Sequence, residues 1–176
     1  TNPATGDDLE PIEGDSAEDV EDALALSEEV FSEWSDRRME ERRQLMNDAA
    51  DVLRENTEEY ARIITKEMGK PIEGSRSEIE KCAWVCEHYA EYAGYYLQDE
   101  HLQSSPEAEA FVSYEPLGPV LAVMPWNYPF WQVFRFAAPS LTAGNTGLLK
   151  HASNVPETAQ AIEDVFLEAC LLYTSP

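Results

Sequence analysis

Apolar positions along the chain follow two different periods, and the change comes once. From residue 16 to about 102 the spacing is helical; from residue 110 onward short apolar runs alternate with helical stretches. Residues 1–15 read as an extended or looped arm. Val20, Ala23, Leu24, Leu26, Val30, Phe31 and Trp34 predict an amphipathic helix over 17–34, with Ser16 as its N-cap and acids in its first turn. Asp36 is the expected cap of a second helix reaching Glu55, with Met39, Leu45, Met46, Ala49 and Leu53 on one face. Thr57 is the expected cap of a third, Glu58 to Met68, stopped by Gly69 and by Pro71 beyond it. A fourth helix, Ile72 to Leu97, would bury Ile79, Cys82, Ala83, Cys86, Tyr89 and Ala93.

After residue 110 the reading changes. "AFVSYEP" (110–116) alternates as a strand, and "LGPVLAVMP" is continuously apolar, as in a buried parallel strand. "WQVFRFAAPSLTAGN" predicts a helix ending at Gly144 and Asn145, "TGLLKHA" a second buried strand, and "PETAQAIEDVFLEA" a helix with Pro156 in its first turn. Strand, helix, strand and helix with short connections form a βαβα unit, the start of a doubly wound, Rossmann-like parallel sheet. The expected organisation is a helical arm over 16–102 and a βαβα unit over 110–169, truncated from a longer α/β protein. "CLLYTSP" (170–176) reads as the translation of a sequencing adapter, which would end the native sequence near Ala169.

Composition narrows the functions available. No run of 18 apolar residues occurs, so no membrane span is expected. The acidic first residues lack a signal peptide's basic and apolar regions, which favours a cytoplasmic location. The formal charge is -23, with 35 acids against 12 bases, and Lys66, Lys70, Lys81 and Lys150 are the only lysines. Such a surface repels nucleic acid and anionic lipid. It suits a halophile's protein, because at ~1 M salt the Debye length is only about 3 Å and self-repulsion is screened. Cys82 and Cys86 have no second pair to complete a zinc site, so they read as buried reduced thiols, and no metal site is expected.

The candidate chemistry lies at the ends of the two buried strands, where open parallel sheets bind ligands. Asn127 follows the first strand in "MPWNYP". Its amide can donate to a developing oxyanion or cap the following helix, and spacing alone leaves both readings open. Lys150, His151, Ala152 and Ser153 follow the second strand. The lysine can bind sugar hydroxyls or phosphate, or be merely solvated; a lone histidine such as His151 more often packs than catalyses. No G-x-G-x-x-G follows the first strand, so the usual dinucleotide fingerprint is missing.

Six segments go further: "NPATG" (2–6), "KEMGKP" (66–71), "EPLGPV" (115–120), "MPWNYP" (124–129), "LTAGNT" (141–146) and "LLKHAS" (148–153). In this order and at these intervals the chain resembles the aldehyde dehydrogenases, with "PWNYPFWQVFR" and "LLKHASN" most similar to the succinate-semialdehyde dehydrogenase branch. The resemblance implies that Asn127 stabilises the thiohemiacetal oxyanion, that Pro125 and Trp126 flank the nicotinamide, and that Lys150 holds the adenosine ribose. His151, Ala152 and Ser153 complete the expected cofactor segment. Ser153 replaces the glutamate of NAD-strict members, so NADP as well as NAD is the implied cofactor. Arg135, eight residues after Asn127, matches an arginine that binds the distal carboxylate of a small semialdehyde acid; a salt bridge within the fold is its alternative. The implied reaction is NAD(P)-dependent oxidation of succinate semialdehyde to succinate, through a covalent thiohemiacetal and thioester on a cysteine downstream of this sequence, in a homo-oligomer. A dehydrogenase for another aldehyde, or a non-catalytic dehydrogenase-like binding protein, are the alternatives.

Overall fold

Helix-capping chemistry sets most of the first hundred residues. The computed structural model describes residues 1–102 and 108–171. It opens with four helices: α1 (Ala17–Asp36), α2 (Met39–Glu55), α3 (Thr57–Met68) and α4 (Ile72–Tyr96). Ser16 caps α1 as expected: its hydroxyl accepts the Asp19 N–H at 3.2 Å, and the Asp19 carboxylate accepts the Ser16 N–H at 2.8 Å. Asp36 does not cap α2. It is the last residue of α1, and the Glu41 carboxylate reaches back to the Arg38 N–H instead, at 3.2 Å. Buried Arg42 holds this corner, donating to the carbonyls of Ser35 (3.1 Å), Arg37 and, in a later helix, Thr142 (3.0 Å).

Thr57 is likewise not the cap of α3. Asn56 occupies that position, and the Thr57 hydroxyl donates to the Leu53 and Arg54 carbonyls at 3.0 Å, closing α2. Gly69 ends α3 at φ 74°, as expected. A side chain there would meet the Pro3 ring, with a Cβ only 2.9 Å from its Cγ.

The core gathers Met46, Ala49 and Leu53 of α2, Tyr60 and Ile64 of α3, and Ile79, Cys82, Ala83 and Cys86 of α4. Against them pack Phe130 and Phe134 of α5 (Pro129–Thr142) and Ile162 and Val165 of α6 (Pro156–Leu171). Arg54 ties α2 to α4 through Glu80 and Glu87. The apolar stripe expected to bury α1 is only partly used, since Val20, Leu24, Leu26 and Val30 stay exposed. The helix is instead pinned by polar bonds: Trp34 Nε1 donates to the Leu141 carbonyl, and Thr146 Oγ1 to the Ser27 carbonyl, each at 3.0 Å.

The strand expected over 110–116 shrinks to β2 (Phe111–Val112), paired antiparallel with β1 (Glu100–His101), which the sequence places within the helical arm. Each strand is two residues long, too short for an alternating pattern to announce the pairing. The βαβα unit forms as expected: β3 (Pro119–Val123) and β4 (Thr146–Lys150) are parallel, in register from Pro119–Thr146 to Val123–Lys150, with α5 between them and α6 following. Asn145 Oδ1 accepts the Leu117 and Gly118 N–H groups at 2.7 and 3.2 Å and so fixes where β3 starts.

Strand β3 is not buried on both sides. Ala122 is buried, but Leu121 and Val123 are 64% and 66% exposed, although α1 reaches the start of the same face through the Thr146–Ser27 bond. Helix α6 continues through Leu171, two residues past the expected native end at Ala169, while residues 172–176 lie outside the described residues. Among the described residues no helix is long and apolar enough to cross a membrane.

Candidate active site

Helix α5 begins at Pro129, and its N-cap is Tyr128, whose side chain makes no capping bond. The open N–H groups of the first turn find a partner elsewhere. Glu78 of α4, 4% exposed, accepts both the Phe130 and Trp131 N–H groups on Oε1 at 3.0 Å. Its other oxygen takes the ammonium of Lys70, which also lies 3.8 Å from the centroid of the Tyr128 ring. The helix is therefore capped without Asn127. Asn127 is exposed, and its amide makes no hydrogen bond among the described residues. Of the two readings of that side chain, the helix cap is removed.

The end of β4 is built the same way. Glu67 of α3, 4% exposed, accepts the N–H groups of Glu157 and Thr158 at 2.7 and 2.8 Å and the Thr158 hydroxyl at 2.6 Å, capping α6. His151 turns inward. Its Nε2 meets the Pro129 carbonyl at 3.0 Å and its Nδ1 accepts the Ala152 N–H at 2.7 Å, which assigns the neutral tautomer protonated on Nε2. Burial lowers its pKa, with the Pro129 contact partly opposing. Both ring nitrogens and the Ala152 N–H are thus engaged within the protein. Lys150 and Ser153 are exposed, and neither makes a side-chain hydrogen bond or ion pair among the described residues.

Between these strand ends and the N-terminal arm lies an open cleft of about 680 Å³, whose walls include Pro3, Glu10, Glu67, Trp126, Ser153 and Asn154. Of the expected cofactor residues, Trp126 and Ser153 line this cleft and Lys150 does not; a hydroxyl there, and an unpaired lysine at the end of β4, are the kind of groups that hold the sugar hydroxyls of a nicotinamide dinucleotide. The site offers no open helix N-terminus for its phosphates, because Glu67 and Glu78 already fill both.

Arg135, on α5, is exposed and makes no ion pair or hydrogen bond among the described residues, so the alternative of an internal salt bridge finds no support there. Cys82 and Cys86 are buried free thiols. Burial raises both, Cys82 well above the ordinary thiol value and Cys86 to about 12, so neither supplies a thiolate near neutral pH. No cluster of metal-ligating side chains occurs among the described residues.

Residues 1–171 match the sequence profile of the aldehyde dehydrogenase family. The chain belongs to that family. Among its curated relatives is a probable succinate-semialdehyde dehydrogenase [NADP(+)] from Synechocystis, 48% identical over 168 residues, covering 96% of this chain and 37% of the relative. A succinate semialdehyde dehydrogenase [NAD(P)+] from Escherichia coli is 44% identical, covering 96% and 36%. Among solved structures, one of Gox0499, concerned with cofactor and substrate selection, superposes with a TM-score of 0.92 at 32% identity, covering 99% of this chain and 38% of that one. The succinic semialdehyde dehydrogenase of Streptococcus pyogenes in complex with NADP+ gives 0.87 at 33% identity, covering 92% and 35%. The chain therefore spans little more than a third of the length of these aldehyde dehydrogenases.

Sequence reasoning missed the two glutamates that cap α5 and α6 beside the candidate site. A signal existed. Glu67 falls three residues after Ile64, and Glu78 falls between Ser75 and Cys82, on faces whose helical period calls for buried residues. An acid at a buried helical position implies a partner, here a helix N-terminus.

Proposed function

We propose that the full-length protein is an NAD(P)-dependent dehydrogenase that oxidises succinate semialdehyde to succinate. When bound, the nicotinamide accepts the hydride that the aldehyde carbon loses. The remaining roles belong to residues of this chain. Asn127 donates its amide to the aldehyde oxygen as negative charge develops there, a contribution worth about 2.7–4 kcal/mol in a preorganised site. Pro125 and Trp126 present the backbone beside the nicotinamide. Lys150 holds ribose hydroxyls, and Ser153 carries no charge to repel a 2′-phosphate, so NADP is accepted as well as NAD. The thiolate that attacks the aldehyde, and the base that activates water for thioester hydrolysis, belong downstream of this sequence by the family resemblance, and Cys82 and Cys86 are too buried to supply the thiolate.

The observation that carries this reading is Arg135. In a chain of net charge -23 it keeps an exposed guanidinium with no acidic partner among the described residues, on the helix that follows Asn127. A guanidinium can hold a carboxylate by two parallel hydrogen bonds. The test is Arg135→Leu in the full-length enzyme. Specificity for succinate semialdehyde over butanal, as a ratio of kcat/KM values, should fall by about 2–4 kcal/mol, the loss expected when one partner of a desolvated charge pair is truncated. An unchanged ratio would mean that Arg135 serves the fold, and the substrate assignment would fail.

A further inference from the structure

The chain's acid excess makes an unpaired cation informative. Of its 12 lysines and arginines, eight are engaged among the described residues. Arg37, Arg38, Arg54, Arg76, Lys66 and Lys70 pair with carboxylates, and Arg42 and Arg43 donate to backbone carbonyls. Four are not: Arg62, Lys81, Arg135 and Lys150. Arg62 borders a shallow acidic depression with Glu55, Glu58 and Glu59. The other three lie on α4, on α5 and at the end of β4.

Lys81 is the one without a role. Its ammonium lies 3.8 Å from the centroid of the Trp131 ring, and Trp131 is one turn before Arg135 on α5, where side chains four apart are neighbours. The acids nearest Lys81 in sequence are already taken: Glu78 by Lys70 and the start of α5, Glu80 by Arg54. Helix α5 carries no acid at all. Two uncompensated cations and an aromatic platform therefore adjoin on the face shared by α4 and α5, in a molecule otherwise saturated with carboxylates.

We infer that Lys81 is a specificity-determining residue: with Arg135 it forms the subsite for the distal carboxylate of the substrate, and Trp131 holds its ammonium in place between catalytic cycles. This inference rests on the succinate-semialdehyde reading and deepens it. Arg135 supplies the directional, bidentate contact and Lys81 a second point charge, which fits an aldehyde carrying a distal carboxylate better than one without.

The test uses the full-length enzyme with Lys81→Met, Lys81→Arg and Arg135→Leu, two substrates (succinate semialdehyde and butanal) and succinate as inhibitor. Lys81→Met should lower the kcat/KM ratio of succinate semialdehyde to butanal roughly three- to fivefold, the upper part of the range of a partly exposed charge contact. It should raise KM for succinate semialdehyde more than it lowers kcat and weaken inhibition by succinate to a similar degree, and Lys81→Arg should restore most of both. A ratio and an inhibition constant within twofold of the parent, while Arg135→Leu discriminates, would overturn the role of Lys81 and leave the substrate reading intact. Equal losses for both substrates with Lys81→Met would also overturn it, since that is the signature of a structural residue. If Arg135→Leu fails to discriminate as well, the substrate reading itself falls.

Discussion

Replacing Glu78 by leucine should destabilise the protein and misplace Asn127 together. The carboxylate is 1% exposed at its side chain and its partner Lys70 is 12% exposed. Removal leaves the lysine's charge nearly buried without a counterion, and two N–H groups at the start of α5 without an acceptor. Truncating one partner of a buried ion pair costs about 3–5 kcal/mol, and an orphaned buried N–H about 1–3 kcal/mol. Water reaches Lys70 a little and Tyr128 is exposed, so the sum lies near the lower end, about 4–5 kcal/mol. Glu78→Gln keeps the shape and an acceptor for the N–H groups while losing the charge, and should cost less. Lys70→Met on the Glu78→Leu background should recover part of the loss, because the stranded charge disappears. The measurement is urea unfolding of the full-length enzyme, with kcat and KM under native conditions. Since α5 follows Asn127 directly, kcat should fall further than KM rises. A loss below about 1 kcal/mol for Glu78→Leu, or strict additivity in the double variant, would refute the cap-and-counterion argument.

Two further outcomes test the site independently. Asn127→Ala should lower kcat by about 10²–10³ with little effect on stability, because its amide caps nothing in the fold; a normal kcat with chemistry rate-limiting would remove it from the oxyanion site. For His151, burial lowers the folded-state pKa below the unfolded value of about 6.5, so below that pH the unfolded chain binds more protons. Its contribution is complete above about pH 6.5 and declines as pH falls through that value toward the folded pKa. Melting curves of the parent should therefore drop relative to His151→Gln between about pH 7 and 5, and parallel curves would show that His151 does not titrate as its contacts require.

Much of the fold was readable in the residues because its signals are local. Ser16 with Asp19 marks the start of α1, Gly69 the end of α3, and the switch to short apolar runs marks the βαβα unit. The failures were long-range or depended on covering elements. Asp36 and Thr57 look like caps in isolation, but Arg42 and the α2 carbonyls claim those corners. Leu121 and Val123 read as core because they are apolar, whereas burial also needs a neighbour. At the site, Asn127, Arg135, Lys150 and Ser153 could be named from their motifs. The contacts of Glu67 and Glu78, 91 and 52 residues away in sequence, could not. Nor could the inward turn of His151, which depends on the Pro129 carbonyl arriving from the other strand's end.

The two buried glutamates also redefine where the working module begins. By topology, β3 to α6 is a self-contained unit, a natural choice for transplanting into another scaffold. By its hydrogen bonds it is not, because the first turn of each of its helices is completed by a carboxylate from the preceding helical hairpin, α3 and α4. A graft cut after α4 would carry the motif residues and leave both turns open to fray. An exchangeable piece must therefore include α3 and α4, and α2 with them, because Met46, Ala49 and Leu53 pack the same core; the helices ahead of the sheet are part of the site's construction.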